Sequence, residues 1–100
     1  MAQYVYAVLQ YKVPLERINQ TVDRHRAYLR GLLAQGKMLA SGPLVPRTGG
    51  ALLLRVADEA ELKTLLAGDP FAQEQLVEYT LYTWAPNIGT EGLDTLPLKA

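Results

Sequence analysis

One histidine occurs in the chain, and its place makes it a candidate for proton chemistry. Leu15, Ile18, Val22, His25, Leu29, Leu32 and Leu33 recur every three or four residues, the spacing that lines up one face of a helix. An imidazole on that face is carried toward the core or into a cleft bounded by it. A polar ring there costs free energy unless it is hydrogen-bonded. With one ring nitrogen engaged by a partner, the other can take or give a proton near neutral pH. The alternative is a core histidine satisfied by a backbone carbonyl, because periodicity establishes burial and nothing more. Arg47, between Pro46 and Thr48-Gly49-Gly50, lies in a loop from which it could reach a pocket mouth and hold a substrate carboxylate in bidentate fashion. Its plainer reading is a solvated loop arginine. Arg24, Arg26 and Arg30 fall mainly off the apolar stripe and read as a solvated face, with Asp23 as a local counter-charge.

Composition narrows the classes. There is no cysteine, which removes disulfides, thiolate chemistry and Cys-based zinc sites. A lone histidine with scattered carboxylates lacks the ligand set of a catalytic zinc, so no metal is expected. Ten basic residues balance ten acidic ones, with no basic block, so nucleic acid is not an expected partner. No apolar run is long enough to span a bilayer, and Met1 to Tyr6 has no basic start of the signal-peptide kind. A cytoplasmic protein of one small domain fits these features.

The elements that must position these residues can be read in order. Gln3 to Tyr11 is a strand rich in aromatic and β-branched residues. Pro14 opens a helix whose period runs to Gln35, with Gly36 as its C-terminal stop. Lys37 to Leu44 reads as a second strand and Ala51 to Val56 as a third, with Thr48-Gly49-Gly50 as turn material. Asp58 caps a second helix, with Glu61 in capping-box position and Leu62, Leu65 and Leu66 as its buried face. Asp69-Pro70 starts a short helical turn through Gln75, and Leu76 to Ala85 is the last strand. The order is β-α-β-β-α-β, an α+β ferredoxin-like arrangement with one four-stranded antiparallel sheet and both helices on one face. The domain covers residues 1–86. Residues 87–100 form a tail, with Leu93, Leu96 and Leu98 as its apolar points, that could dock on a second copy. Tyr4, Tyr6, Tyr82 and Trp84 alternate on the strands so as to fall on the helix-free face. Such a patch, left open, calls for a cover, and a homodimer packed sheet to sheet is expected.

Three segments together resemble the YciI-related (YCII domain) family of the dimeric α+β barrel group. The first is His25 followed by Leu29, Leu32, Gly36, Lys37 and Leu39. The second is Ser41-Gly42-Pro43, and the third is Gly68-Asp69-Pro70-Phe71 after a helix starting near Asp58-Glu59-Ala60. The match runs over roughly residues 3–86 and leaves the tail outside. The resemblance implies the fold, a dimer, and a site made of a His–Asp pair with a serine nearby, which by position are His25, Asp69 and Ser41. It implies cofactor-free acid–base chemistry of the lyase, isomerase or dehydrochlorinase type on a small cyclic or aromatic-derived acid. A carboxylate beside an imidazole holds one tautomer, which suits proton abstraction next to a carbonyl, isomerisation or loss of a halide.

Each residue also has a plainer role. Aspartate before proline at a helix start is a common cap, worth about 1 kcal/mol. Ser41, the only serine, could orient a substrate or donate to a developing oxyanion, or could simply be a small strand residue close to the first helix. Gly42 and Pro43 open backbone groups toward a ligand or end the strand. The competing functions are a non-catalytic small-ligand-binding module and a structural dimerisation domain.

Overall fold

The computed structural model describes residues 2–95. Its elements are β1 (Gln3–Tyr11), α1 (Leu15–Ala34), β2 (Met38–Pro43), β3 (Gly49–Val56), α2 (Glu59–Ala67), α3 (Pro70–Gln73), β4 (Val77–Trp84) and α4 (Thr90–Thr95). The strands form one antiparallel sheet in the order β2-β3-β1-β4. This is the α+β ferredoxin-like arrangement expected from the order of elements.

Register decides which face each side chain serves. Val5 lies opposite Leu54 and Ala7 opposite Leu52 on one face, with Leu9 opposite Tyr79 across β4. Ile18, Leu29 and Leu32 of α1 and Leu62 and Leu65 of α2 complete the core over that face. The other face carries the Tyr6–Tyr82 pair and Trp84, which are 42%, 56% and 48% exposed. Tyr4 departs from the expected open patch. It is buried, and its ring meets Trp84 edge to face at 6.4 Å.

The ends of the α1 stripe also differ from its sequence reading. Leu15 and Leu33 are exposed, and the buried positions are Ile18, Thr21, His25, Leu29 and Leu32. Thr21 is tolerated in the core because its hydroxyl donates to Glu74 Oε1 at 2.9 Å and accepts from Arg17 at 2.9 Å. Glu74 binds the Arg17 and Arg24 guanidiniums as well, so one carboxylate ties α1 to the end of α3. Arg24 stays on the solvated face, 62% exposed, and from there it adds a second guanidinium to the Glu74 tie. The Arg17 hydrogen bond, then those of Thr21 and Arg24, hold the Glu74 carboxyl down at about 2.

Smaller differences have local causes. Gly49 and Gly50 belong to β3, not to a turn. Gly49 is buried against the Leu9 backbone, where a Cβ would fall 2.9 Å from the Leu9 carbonyl carbon. Glu61 completes only half a capping box: Asp58 accepts from the Glu61 N–H, while the Glu61 carboxylate takes the Ala57 N–H. The short helix α3 stops at Gln73 rather than running through Gln75, which adopts a left-handed conformation at φ 58°. Part of the tail forms α4, whose Leu93 carbonyl accepts from Arg55 at 3.3 Å. Leu96, Pro97 and Leu98 lie outside the described residues. Among the described residues no helix is long and apolar enough to cross a membrane.

Two outcomes follow. Gly49→Ala has to displace the β1 backbone, at a cost on the order of 3 kcal/mol, and lowers Tm by roughly 10 °C or more in calorimetry. Glu74 is held below its unfolded value of about 4.3, so its stabilisation is full above that pH and is lost as pH falls toward the folded value. A Tm-versus-pH profile should therefore drop through this acid window, and Glu74→Gln should flatten the drop.

Candidate active site

The site begins with the cap of α3. Asp69 precedes Pro70, and its Oδ1 accepts the Phe71 N–H at 2.9 Å, which turns the carboxylate inward over the sheet. It is 2% exposed. A carboxylate this buried must collect donors, and Asp69 collects three groups. Besides Phe71 N–H, His25 Nδ1 reaches both oxygens, at 2.8 and 2.9 Å, and the Tyr79 hydroxyl donates to Oδ2 at 3.3 Å. Capping and imidazole contact are thus not divided between the two oxygens, since Oδ1 serves both. Stranding any one of these donors would cost about 1–3 kcal/mol.

His25 arrives from the middle of α1, one step of four residues from both Thr21 and Leu29. Its ring stacks on Phe71 with centroids 3.8 Å apart and planes within 6°. The cap and the stack leave the ring one orientation. A carboxylate only accepts, so Nδ1 carries the hydrogen, and in the neutral ring Nε2 keeps its lone pair. His25 lines a cavity of about 210 Å³, whereas Asp69 sits behind it. The nitrogen turned away from Asp69 is the one available to that cavity.

The cavity lies between α1 and the helix-covered face of the sheet. Ser41, Gly42, Pro43 and Arg47 all line it with His25. Ser41 pairs with Leu52 in the sheet, which turns its side chain toward α1. Gly42 and Pro43 are the last two residues of β2, so they end the strand and also form part of the cavity wall. Arg47 donates to Asn19 Oδ1 at 3.1 Å and lies 5.9 Å over the Tyr11 ring, so this loop arginine is held over the cavity.

Four residues around the site, Tyr79, Tyr28, Phe71 and Arg26, carry no site role in the sequence reading. Tyr79 holds Asp69, and its signal was weak: period two along β4 places it on the covered face, but nothing in its neighbours announces a carboxylate. Burial, and then the Asp69 charge, push its hydroxyl far above the usual tyrosine range, so it stays an O–H donor. Tyr28 is shifted upward by the same two causes, and its hydroxyl donates to the Leu65 carbonyl at 2.7 Å. Phe71 was visible only as part of a motif, yet it is the surface on which His25 lies. Arg26, read as part of a solvated face, lines the cavity. Among the described residues no group of three or more His, Cys, Asp or Glu side chains is placed to hold a metal ion.

Comparisons with known proteins bear on the fold and the family. No curated protein matches the chain. Among solved structures, the 5-chloro-2-hydroxyhydroquinone dehydrochlorinase of Burkholderia phenoliruptrix AC1100, in complex with 2,5-dihydroxybenzoquinone, is similar with a TM-score of 0.68. The similarity covers 83% of this chain and 95% of that one at 19% identity, a likeness of fold. The model of the YCII-related domain matches residues 4–85, the whole stretch from β1 to β4 that carries the cavity and the His–Asp contact. The chain belongs to the YCII-related domain family.

Proposed function

We propose that the protein is a small enzyme that moves protons on a small cyclic substrate, with His25 as general base or acid. Asp69 orients the ring through Nδ1, and Nε2 exchanges the proton with the substrate. Ser41 donates to the oxygen on which charge develops when a proton leaves the carbon beside a carbonyl. Gly42 and Pro43 form a wall of the pocket, and Arg47 holds an acidic group of the substrate. The reaction class is lyase, isomerase or dehydrochlorinase, and none of its steps calls on a metal or an organic cofactor. The observation that supports this most is that one ring does two things. His25 binds a buried carboxylate through one nitrogen, and the same ring lines a cavity that also contains a hydroxyl. A histidine kept for packing alone needs no cavity beside it. A cytoplasmic setting fits the cysteine-free composition.

We further propose that the working form is a homodimer joined through the helix-free sheet face. Tyr6, Tyr82 and Trp84 would otherwise leave an aromatic patch in water. On the opposite face, the site stays accessible in such a dimer.

Proton chemistry can be read as deuterium uptake, in D2O, at the carbon next to the carbonyl of single-ring keto acids and lactone carboxylates. His25→Ala should lower uptake by about 10²–10⁴-fold while the protein stays folded. Asp69→Asn keeps a good N-cap but removes the orienting charge, and should cost roughly 10²-fold or more. Full uptake by the His25→Ala protein would overturn the assignment. In sedimentation the parent should run as a dimer and the Tyr82→Glu, Trp84→Glu double variant as a monomer. A monomeric parent would contradict the sheet-to-sheet dimer.

A further inference from the structure

The charges around the cavity are one-sided. Arg26 and Arg47 line it, and no aspartate or glutamate does. Elsewhere four cations are matched, with Arg17 and Arg24 sharing Glu74, Lys37 meeting Glu61 and Lys63 meeting Glu59, while Arg55 donates to backbone carbonyls. Arg47 has a neutral amide and an aromatic ring as neighbours, Asn19 and Tyr11. Among the described residues neither Arg26 nor Arg47 has a carboxylate within ion-pair distance. Two guanidiniums without counter-charge at one cavity make a region of positive potential that favours an anion.

Size and walls restrict the anion further. A cavity of about 150 Å³ accepts benzene. The 210 Å³ here accepts one ring with a few substituent atoms. Leu9, Val22, Leu29 and Leu52 provide apolar walls, and the stacked His25 and Phe71 rings provide a flat one. The two arginines come from different elements, Arg26 from α1 and Arg47 from the loop joining β2 to β3. Arg47 is anchored at Asn19, seven residues before Arg26 on α1, which is about 10 Å along the helix axis. Two guanidiniums so spaced suit two acidic groups across a ring better than two on adjacent atoms.

We propose that the cavity is a receptor for a single-ring planar dianion whose acidic groups lie on opposite sides of the ring, one meeting Arg47 and the other Arg26. This rests on the cavity being the substrate site and names the class of substrate it takes. Arg47 contributes more than Arg26. It is half-buried and already held by Asn19 and Tyr11, so less freedom is lost when it binds. Arg26 is exposed and better screened.

Calorimetric titration with terephthalate, phthalate, benzoate and neutral terephthalamide tests the class without requiring turnover. Terephthalate should bind about tenfold or more tightly than benzoate and phthalate, and terephthalamide should bind weakest. Arg47→Ala and Arg26→Ala should each remove most of the advantage of terephthalate over benzoate, with the larger loss at Arg47. The advantage should shrink as salt is raised. Equal affinity for terephthalate and terephthalamide, no detectable binding, or an advantage that survives both substitutions would overturn the proposal. His25→Ala should still bind terephthalate. If it does and deuterium uptake never depends on His25, the proton-transfer reading fails while the anion receptor stands. If uptake depends on His25 but the dianion preference is absent, the receptor fails alone.

Discussion

The contact between His25 and the buried Asp69 is the constraint around which the rest of the structure is arranged. A carboxylate with 2% exposure is costly unless its lone pairs are filled. Three elements fill them: α1 brings the imidazole, the start of α3 brings a backbone N–H, and β4 brings a tyrosine hydroxyl. Each element is thereby tied to the others at one point. The ion-pair cluster at Glu74 supplies a second tie between α1 and α3, on the outer side. The helix–helix geometry that shapes the cavity is fixed from inside and outside.

That arrangement links stability to chemistry. The interaction that satisfies Asp69 also fixes which imidazole nitrogen carries the hydrogen. Phe71, whose backbone is capped by Asp69, is the ring on which His25 lies. The cap therefore positions the stacking surface, and the stacking surface positions the imidazole. Tyr79 does no chemistry of its own in this account. Its hydroxyl stays protonated and keeps the second carboxylate oxygen engaged, so Asp69 is a fixed acceptor.

Much of this was legible in the sequence because it rests on local chemistry. β1 was bounded by its pattern of aromatic and β-branched residues, and α1 by Pro14 and Gly36. The order of elements gave the sheet and its helix-covered face. The Ser41 and Gly68-Asp69-Pro70-Phe71 segments resembled a family in which a histidine and an aspartate pair. What escaped was set by distant partners. Thr21 looks like a helix-surface residue until Glu74 and Arg17 are placed beside it. Gly49 looks like a turn glycine until the Leu9 backbone is seen against it. Tyr79 and Arg26 carry no local mark of their roles, which come from Asp69 forty-four residues after His25 and from a cavity walled by several separate elements.

The central claim is that Asp69 fixes the imidazole with its hydrogen on Nδ1, leaving Nε2 as the lone-pair nitrogen facing the cavity. With a single histidine in the chain, nitrogen-15 NMR of the labelled imidazole reads this state without ambiguity. The account predicts, for the neutral ring, a hydrogen on Nδ1 that exchanges slowly with solvent because it is buried against Asp69. A neutral ring protonated on Nε2, with Nδ1 as the lone-pair nitrogen, would contradict it.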